Sequence, residues 1–88
     1  MKIIYAQEFQ KQLKKFPIDI QIIYHRQEDI FRANWRDTRL HIKKLSDQPF
    51  PFSFRITRNY RALFVFVETD TVLLATIGNR KDVYRKRS

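Results

Sequence analysis

The sequence predicts a small α+β domain, in which a short strand and two helices precede three or four antiparallel strands. Apolar residues recur at helical spacing in the first third of the chain, whereas residues 52–77 alternate or run continuously, as strands do. With 88 residues, the chain is long enough for two packed layers, and a division would leave neither half a usable core. We therefore expect a single domain that spans residues 1–88.

The N-terminal third carries the strand and the helix hairpin. Ile3-Ile4-Tyr5 is the predicted strand. The first helix is indicated by three apolar residues at the spacing of an amphipathic helix: Phe9, Leu13 and Phe16. Pro17 ends this helix and suits the start of a second one, which we expect to end near Asn34 in a left-handed terminal residue. The apolar side of the second helix consists of Ile20, Ile23, Tyr24, Gln27, Ile30 and Phe31. Two helices joined at a proline can cover one face of a sheet.

Three strands are predicted in the second half of the chain: Phe52–Thr57, Arg61–Val67 and Thr71–Ile77. Alternation along the first of them places its apolar residues on one face, as core, and Ser53, Arg55 and Thr57 on the other. The second strand is apolar after its first residue, which suits a central strand buried on both faces. Weaker extended signals occur at Leu40–Leu45 and, as an edge strand, at Asp82–Arg85.

Charge is unevenly distributed along the chain. There are 18 Lys and Arg residues against 9 Asp and Glu, and residues 32–88 carry +8 of the net charge of +9. Such an excess of cations favours a polyanionic partner, nucleic acid first. The chain has no cysteine and only two histidines, which are sixteen residues apart, so we expect no metal site. No apolar run has the length of a membrane span, and the start turns polar too early for a signal peptide. We therefore expect a cytoplasmic protein without a membrane partner.

The predicted nucleic-acid site is built from cations: Lys43, Lys44, Arg55, Arg58, Arg61, Arg80, Lys81, Arg85, Lys86 and Arg87. Arg61 begins an apolar strand, so the backbone holds its guanidinium beside the sheet. A guanidinium is always charged and offers phosphate a fork of donors, which suits it to stabilise a pentavalent phosphorane. Arg55 and Arg80 could lie on the same side, and His41 could join the cationic face. Tyr84 could stack on a base or transfer a proton. On residue chemistry alone, binding of RNA or DNA is supported better than catalysis.

An ordered set of motifs lies within residues 40–85. Phe54-Arg55-Ile56-Thr57 is followed by Tyr60-Arg61, a hydrophobic hairpin, Ile77-Gly78-Asn79-Arg80 and Asp82-Val83-Tyr84. This order resembles the RelE/ParE superfamily of type II toxins, and the element order of the whole chain matches that superfamily too. The resemblance implies a twisted antiparallel sheet of about four strands, with an N-terminal short strand and helix hairpin packed against it.

The resemblance also implies a reaction. RelE-type members are endoribonucleases that cut mRNA in the ribosomal A site, without a metal or other cofactor. The 2′-hydroxyl attacks the adjacent phosphorus, which gives a 2′,3′-cyclic phosphate and a free 5′-hydroxyl. By position, Arg61 matches the arginine that stabilises the transferring phosphate, and Arg55 and Arg80 match further basic residues of the site. Tyr84 matches the C-terminal aromatic residue that stacks on or protonates the substrate. The expected RNA-binding residues around them are His41, Lys43, Lys44, Arg58, Lys81 and Arg85.

Two positions depart from the family pattern. Asn79 stands where many members have a histidine that acts in acid–base chemistry, and Thr57 stands where some have a second basic residue. The general base is therefore unassigned. His41, Lys43 or Lys44 could supply it, or catalysis could rest mainly on positioning and charge.

Three functions are open at this point. The first is a ribosome-dependent mRNA interferase, neutralised by an acidic antitoxin that is partly disordered until it binds. The second is a ParE-like poison of DNA gyrase, which the missing histidine at Asn79 favours. The third is a basic module that binds RNA without cutting it.

Overall fold

A computed structural model describes residues 1–45, 49–79 and 81. Strand β1 (Lys2–Tyr5) comes first, followed by helices α1 (Gln7–Lys14) and α2 (Ile18–Ala33) and a single 3-10 turn at Thr38–Leu40. The remaining strands are β2 (Lys43–Lys44), β3 (Phe52–Arg55), β4 (Tyr60–Glu68) and β5 (Thr71–Asn79). The predicted α+β class and the helix hairpin are confirmed. The edge strand predicted at Asp82–Arg85 lies outside the described residues.

The described strands form one sheet in the order β1-β5-β4-β3-β2. Strands β2 to β5 are antiparallel to their neighbours, but β1 runs parallel to β5, so the sheet is mixed and has five strands rather than about four. Parallel neighbours need a long connection, which the intervening helices and strands supply. The extended signal at Leu40–Leu45 divides into the end of the 3-10 turn and the short strand β2, which pairs with β3.

Helix boundaries agree with the proline and asparagine signals. Pro17 caps the start of α2, and α2 ends at Ala33 with Asn34 as its cap. The prediction of a left-handed conformation at Asn34 is wrong, since the backbone of this residue is extended, with φ −160° and ψ 101°. The side chain of Asn34 instead accepts a hydrogen bond from the Arg36 N–H at 3.1 Å, which turns the chain sharply after the helix. Neither helix in the described part of the chain has the length and apolar content for a membrane crossing.

The core lies between the helices and one face of the sheet, and aromatic rings dominate it. Phe31 on α2 contacts Phe54 and Phe64, with ring centroids 4.8 and 4.9 Å apart. These three side chains and Tyr24 are fully buried. Because strand residues alternate between faces, the phenylalanines of β3 and β4 point towards the helices and their neighbours point away. The predicted burial of β4 on both faces is observed for Arg61–Phe64. Near the other end of the strand, Val67 is 48% exposed.

A carboxylate cluster joins α2 to the first strand. Glu28 accepts hydrogen bonds from the Tyr5 hydroxyl at 2.6 Å, from the Tyr24 hydroxyl, and from the Arg32 guanidinium at 2.7 Å. Burial alone would raise the pKa of Glu28, but the hydrogen bonds from Tyr24, Tyr5 and Arg32 together lower that pKa below its ordinary value. The ionised carboxylate is therefore the state that holds β1 against α2.

We expect Glu28→Gln to lower the free energy of unfolding at pH 7 by about 1–3 kcal/mol, because hydrogen bonds to a charged acceptor are stronger than those to an amide. The folded pKa lies below the ordinary value of 4.5, so the difference between wild type and variant should be full above that pH. It should shrink as the pH falls through the folded pKa. Urea unfolding at several pH values measures it. Asp29→Asn, at an exposed position of the same helix, is the matched control, and an equal loss in both variants would contradict the role of the cluster.

Candidate functional site

The face of the sheet that points away from the helices, here called the outer face, carries two arginines side by side. Arg55 on β3 is the register partner of Arg61 on β4, and Arg61 is in turn the partner of Gly78 on β5. Cross-strand partners share a face, so Arg55, Arg61 and Gly78 form one row. Gly78 has no side chain, which leaves the backbone beside Arg61 open to close approach by a ligand. Arg55 and Arg61 therefore share the outer face, and their role in a common site stays a prediction.

Arg61 is buried, with only 3% of its surface exposed. Its Nε donates to the Ser53 hydroxyl at 2.9 Å, and its Nη2 donates to the carbonyl oxygens of His41 at 2.5 Å and Ser53 at 3.4 Å. The prediction that Arg61 is held beside the sheet agrees with these contacts. Its guanidinium is held more firmly than the sequence indicated, because Ser53 and His41 fix its plane.

His41 presents its carbonyl from an unusual backbone conformation. It has φ 47° and ψ 54°, and it is the one non-glycine residue with positive φ in the described ranges. Asp37 prepares this turn by accepting the Arg39 N–H at 2.9 Å. Hydrogen bonds from the Arg39 side chain and backbone lower the pKa of Asp37 to about 2, so this cap stays ionised over the physiological range. The backbone of His41 thus has a definite task, whereas the residue itself is exposed to solvent.

Arg55 is half-buried and differs from Arg61 in its hydrogen bonds. Its Nε is enclosed and makes no hydrogen bond with any residue of the described part of the chain. Its carbonyl oxygen accepts the Gln27 side-chain amide at 2.8 Å, which ties this end of β3 to α2. An enclosed charged donor without an acceptor is costly, and an incoming anion would remove that cost. Arg55 is therefore well suited to bind a phosphate.

A groove of about 420 Å³ lies where β5 ends, and its described lining residues are Arg58, Asn59, Asn79 and Lys81. Arg58 and Asn59 are exposed at the tip of the turn between β3 and β4, where the Asn59 N–H donates to the Thr57 hydroxyl at 3.3 Å. Among the described residues, the lining is cationic or neutral, which suits an anionic chain.

Asn79 has a structural task that the sequence did not reveal. Its Oδ1 accepts the Lys81 N–H at 2.9 Å, a local hydrogen bond typical of asparagine in turns. A histidine acting in acid–base chemistry would present a titratable ring at this position, and Asn79 cannot. Asn79 thus contributes a local hydrogen bond and no titratable proton carrier.

The two lysines of β2 lie on different faces of the sheet. Lys43 is the register partner of Ser53 and shares the outer face with it, whereas Lys44 is the partner of Phe52 on the opposite face. The structure therefore brings Lys43 to the arginines and separates Lys44 from them. Arg80, Tyr84 and Arg85 lie outside the described residues, and their assignments remain predictions. Among the described residues, no group of three or more His, Cys, Asp or Glu side chains could hold a metal ion.

Ser53 is the site residue for which the sequence analysis gave no role. It is completely buried although it is polar, and its hydroxyl accepts from Arg61. Its alternation with Phe52 and Phe54 placed it on the outer face but could not reveal its acceptor role, which depends on the pairing register of β3 with β4. Register is set by tertiary structure and does not follow from the spacing within one strand.

We expect His41→Gly to keep or slightly raise thermal stability and His41→Val to lower it by about 1–3 kcal/mol. A β-branched residue is strained at positive φ, whereas glycine adopts that conformation freely. Thermal unfolding of both variants measures the difference. His25→Gly and His25→Val, within α2, are the matched pair. There the glycine variant should be the less stable one, because glycine destabilises a helix interior. Equal stability of the two His41 variants would contradict the left-handed assignment.

Solved structures of similar fold include toxin–antitoxin complexes. The RelB–RelE antitoxin–toxin complex from Methanococcus jannaschii contains a chain with a TM-score of 0.72 and 25% identity, covering 93% of this chain and 95% of that one. For the RelE–RelB complex from Pyrococcus horikoshii OT3 the TM-score is 0.70 and the identity 15%, with coverages of 90% and 93%. YafQ from E. coli strain BL21(DE3) has a TM-score of 0.65 and 11% identity, with coverages of 94% and 97%. No protein-family model matches the chain, and no curated protein matches it either. The resemblance carried by residues 40–85 is confirmed, and the chain has the fold of the RelE-like type II toxins.

Proposed function

We propose that this protein is the toxin of a type II toxin–antitoxin pair and that its outer face cleaves mRNA on the ribosome without a metal. The observation that carries the proposal is the row of Arg55 and Arg61, with Lys43 on the same face. The groove adds two further cations, Arg58 and Lys81. The similarity to RelE in the M. jannaschii complex supports the toxin assignment.

The cleavage proposed here needs charge and position more than reactive side chains. The 2′-oxygen of one nucleotide attacks the adjacent phosphorus, and the bond from phosphorus to the 5′-oxygen breaks. Negative charge then develops on the non-bridging oxygens, where fixed guanidinium donors lower the barrier. The leaving 5′-oxygen takes a proton, for which Tyr84 is the proposed donor. A base must accept the 2′-hydroxyl proton, and the candidates are Lys43, on the outer face, and the exposed His41.

The groove formed by Arg58, Asn59, Asn79 and Lys81 would hold the RNA that flanks the cleaved bond. Its two cations can pair with successive phosphates, and its two amides can donate to phosphate or base edges. Substrate positioned along this groove would meet Arg55 at one end, since Arg58 is only three residues further along the chain.

The proposed partner is an acidic antitoxin that covers the outer face. The structures from M. jannaschii and P. horikoshii are complexes of RelE with RelB, which supports such a partner. The outer face also offers an apolar strip, in which Ile4, Leu73 and Val65 are neighbours across β1, β5 and β4. Ile4 is 43% exposed. Co-purification with the product of a short acidic reading frame beside the gene tests this partner, and the absence of a complex would contradict it.

A poison of DNA gyrase is the second candidate. The observation that favours it is Asn79, which accepts the Lys81 N–H where a catalytic histidine would be expected. A supercoiling assay with purified gyrase separates the two candidates. Inhibition of gyrase together with intact mRNA would replace the nuclease assignment.

We expect Arg55→Ala to reduce mRNA cleavage on translating ribosomes by about 10²-fold, because it removes a donor to the developing phosphorane charge. Tyr84→Phe should also reduce cleavage while keeping the stacking ring. Primer extension on ribosome-bound mRNA, after induction of each variant, measures the effect. Lys15→Ala removes an exposed cation beyond the end of α1 and is the matched control, expected to cleave as wild type does. Equal cleavage by all four proteins, or by none, would overturn the proposal.

We expect Arg58→Ala and Lys81→Ala each to weaken binding of single-stranded RNA and to reduce the slope of log K against log salt concentration by about 0.7, the value for one phosphate contact. Both side chains are exposed, so the fold should be unaffected. Fluorescence anisotropy with a labelled oligonucleotide at several salt concentrations gives the slope. Lys11→Ala, on α1, should leave the slope unchanged. If the control lowers it as much as the groove variants do, the protein binds RNA through its net charge alone.

A further inference from the structure

We propose that Ser53 is a positioning residue, whose buried hydroxyl orients the Arg61 guanidinium for the reaction. This inference rests on the proposed nuclease function. It assigns to Ser53 a task beyond strand packing, and it places the His41 carbonyl in the same task. Ser53 is fully buried, and its hydroxyl oxygen lies 2.9 Å from the Arg61 Nε.

The route of the Arg61 side chain shows that its orientation is imposed. Its direct cross-strand partner is Arg55, and like charges at directly opposite positions repel each other. Ser53 lies two residues along β3, diagonal to Arg61 and within reach of a long side chain. The guanidinium follows this diagonal, across β3, until its Nη2 meets the His41 carbonyl at 2.5 Å. Ser53 and His41 thus draw Arg61 away from Arg55 and hold it on the outer face.

Two acceptors at separate nitrogens fix a planar group. The hydroxyl of Ser53 holds Nε, and the carbonyl of His41 holds Nη2, so rotation about the last side-chain bonds is suppressed. An arginine fixed in this way has lost its side-chain freedom before substrate binds, and no reorganisation is needed when charge develops.

The chemistry of the acceptors adds a second argument. The Ser53 hydroxyl and the carbonyl oxygens of His41 and Ser53 are neutral, so these contacts orient the guanidinium without cancelling its charge. An aspartate at position 53 would orient Arg61 equally well but would form an ion pair with it. A neutral acceptor at position 53 therefore orients Arg61 without adding an anion beside it.

The His41 carbonyl reaches Arg61 only because of the left-handed backbone. The 3-10 turn at Thr38–Leu40 ends in His41, whose N–H still donates to the Thr38 carbonyl at 3.2 Å. A non-glycine residue in this conformation is strained. The hydrogen bond to Arg61 is a contact that this strained turn makes possible.

The test compares Ser53→Ala with Ser53→Thr, which keeps a hydroxyl. Single-turnover cleavage of ribosome-bound mRNA should show the rate constant of Ser53→Ala reduced on the order of 10-fold or more, with substrate affinity unchanged. Ser53→Thr should recover most of the lost rate. Thr76→Val is the matched control, because Thr76 on β5 also carries a buried hydroxyl. That hydroxyl donates to the Gln12 side chain of α1 at 2.9 Å and makes no hydrogen bond with Arg61. Thr76→Val should lose stability but keep its cleavage rate.

A second readout does not depend on cleavage. The Nε–H resonance of Arg61, assigned by its loss in Arg61→Lys, should be sharp and protected from exchange in wild type. It should shift and exchange faster in Ser53→Ala, whereas in Thr76→Val it should be unchanged. If wild type cleaves mRNA and Ser53→Ala cleaves it at the same rate, Ser53 has only a packing role and the inference is overturned. If wild type itself does not cleave mRNA, the proposed function fails first, even where the resonance behaves as expected.

Discussion

A buried guanidinium needs hydrogen-bond acceptors, and the arrangement of the outer face follows from the acceptors that Arg61 uses. A charged group removed from water is tolerated only where hydrogen bonds replace those it loses. Ser53 supplies one acceptor from the neighbouring strand, and the left-handed turn at His41 supplies another from beyond the sheet edge. The same contacts link β4 to β3 and to the turn that precedes β2.

The two faces of the sheet have separate tasks as a result. On the helix side, the aromatic side chains around Phe31 and Phe54 provide the burial that stabilises the domain. Little of this stability depends on the side chains of Arg55, Arg58 or Lys81, because they are partly or fully exposed. Cations that do not contribute to the core can be available to a polyanion. The Glu28 cluster, at the opposite edge of the molecule, contributes stability and no cation to the outer face.

Periodicity predicted most of the fold, because helix and strand spacing reflect burial directly. The helix hairpin, the break at Pro17 and the alternation along β3 all agree with the structure. The parallel pairing of β1 with β5 did not follow from the sequence, since a short strand carries no signal of its partner. At the site, Arg55 and Arg61 were predicted from motif and strand position. The role of Ser53, the local hydrogen bond of Asn79 and the separation of Lys44 from the cluster depend on register and turn geometry, which single-strand spacing does not contain.

The chemical ends of the RNA fragments test the central claim most directly. After induction of the wild-type protein, mRNA fragments should carry 5′-hydroxyl ends and 2′,3′-cyclic phosphates, at positions within translated codons. Such ends arise when the neighbouring 2′-oxygen attacks the phosphorus and the 5′-oxygen leaves. The 5′-hydroxyl ends are detected by adapter ligation, which should succeed only after a kinase has phosphorylated the fragments. Fragments with 5′-phosphates, or intact mRNA in cells whose growth has stopped, would contradict the claim that the outer face cleaves RNA by this route.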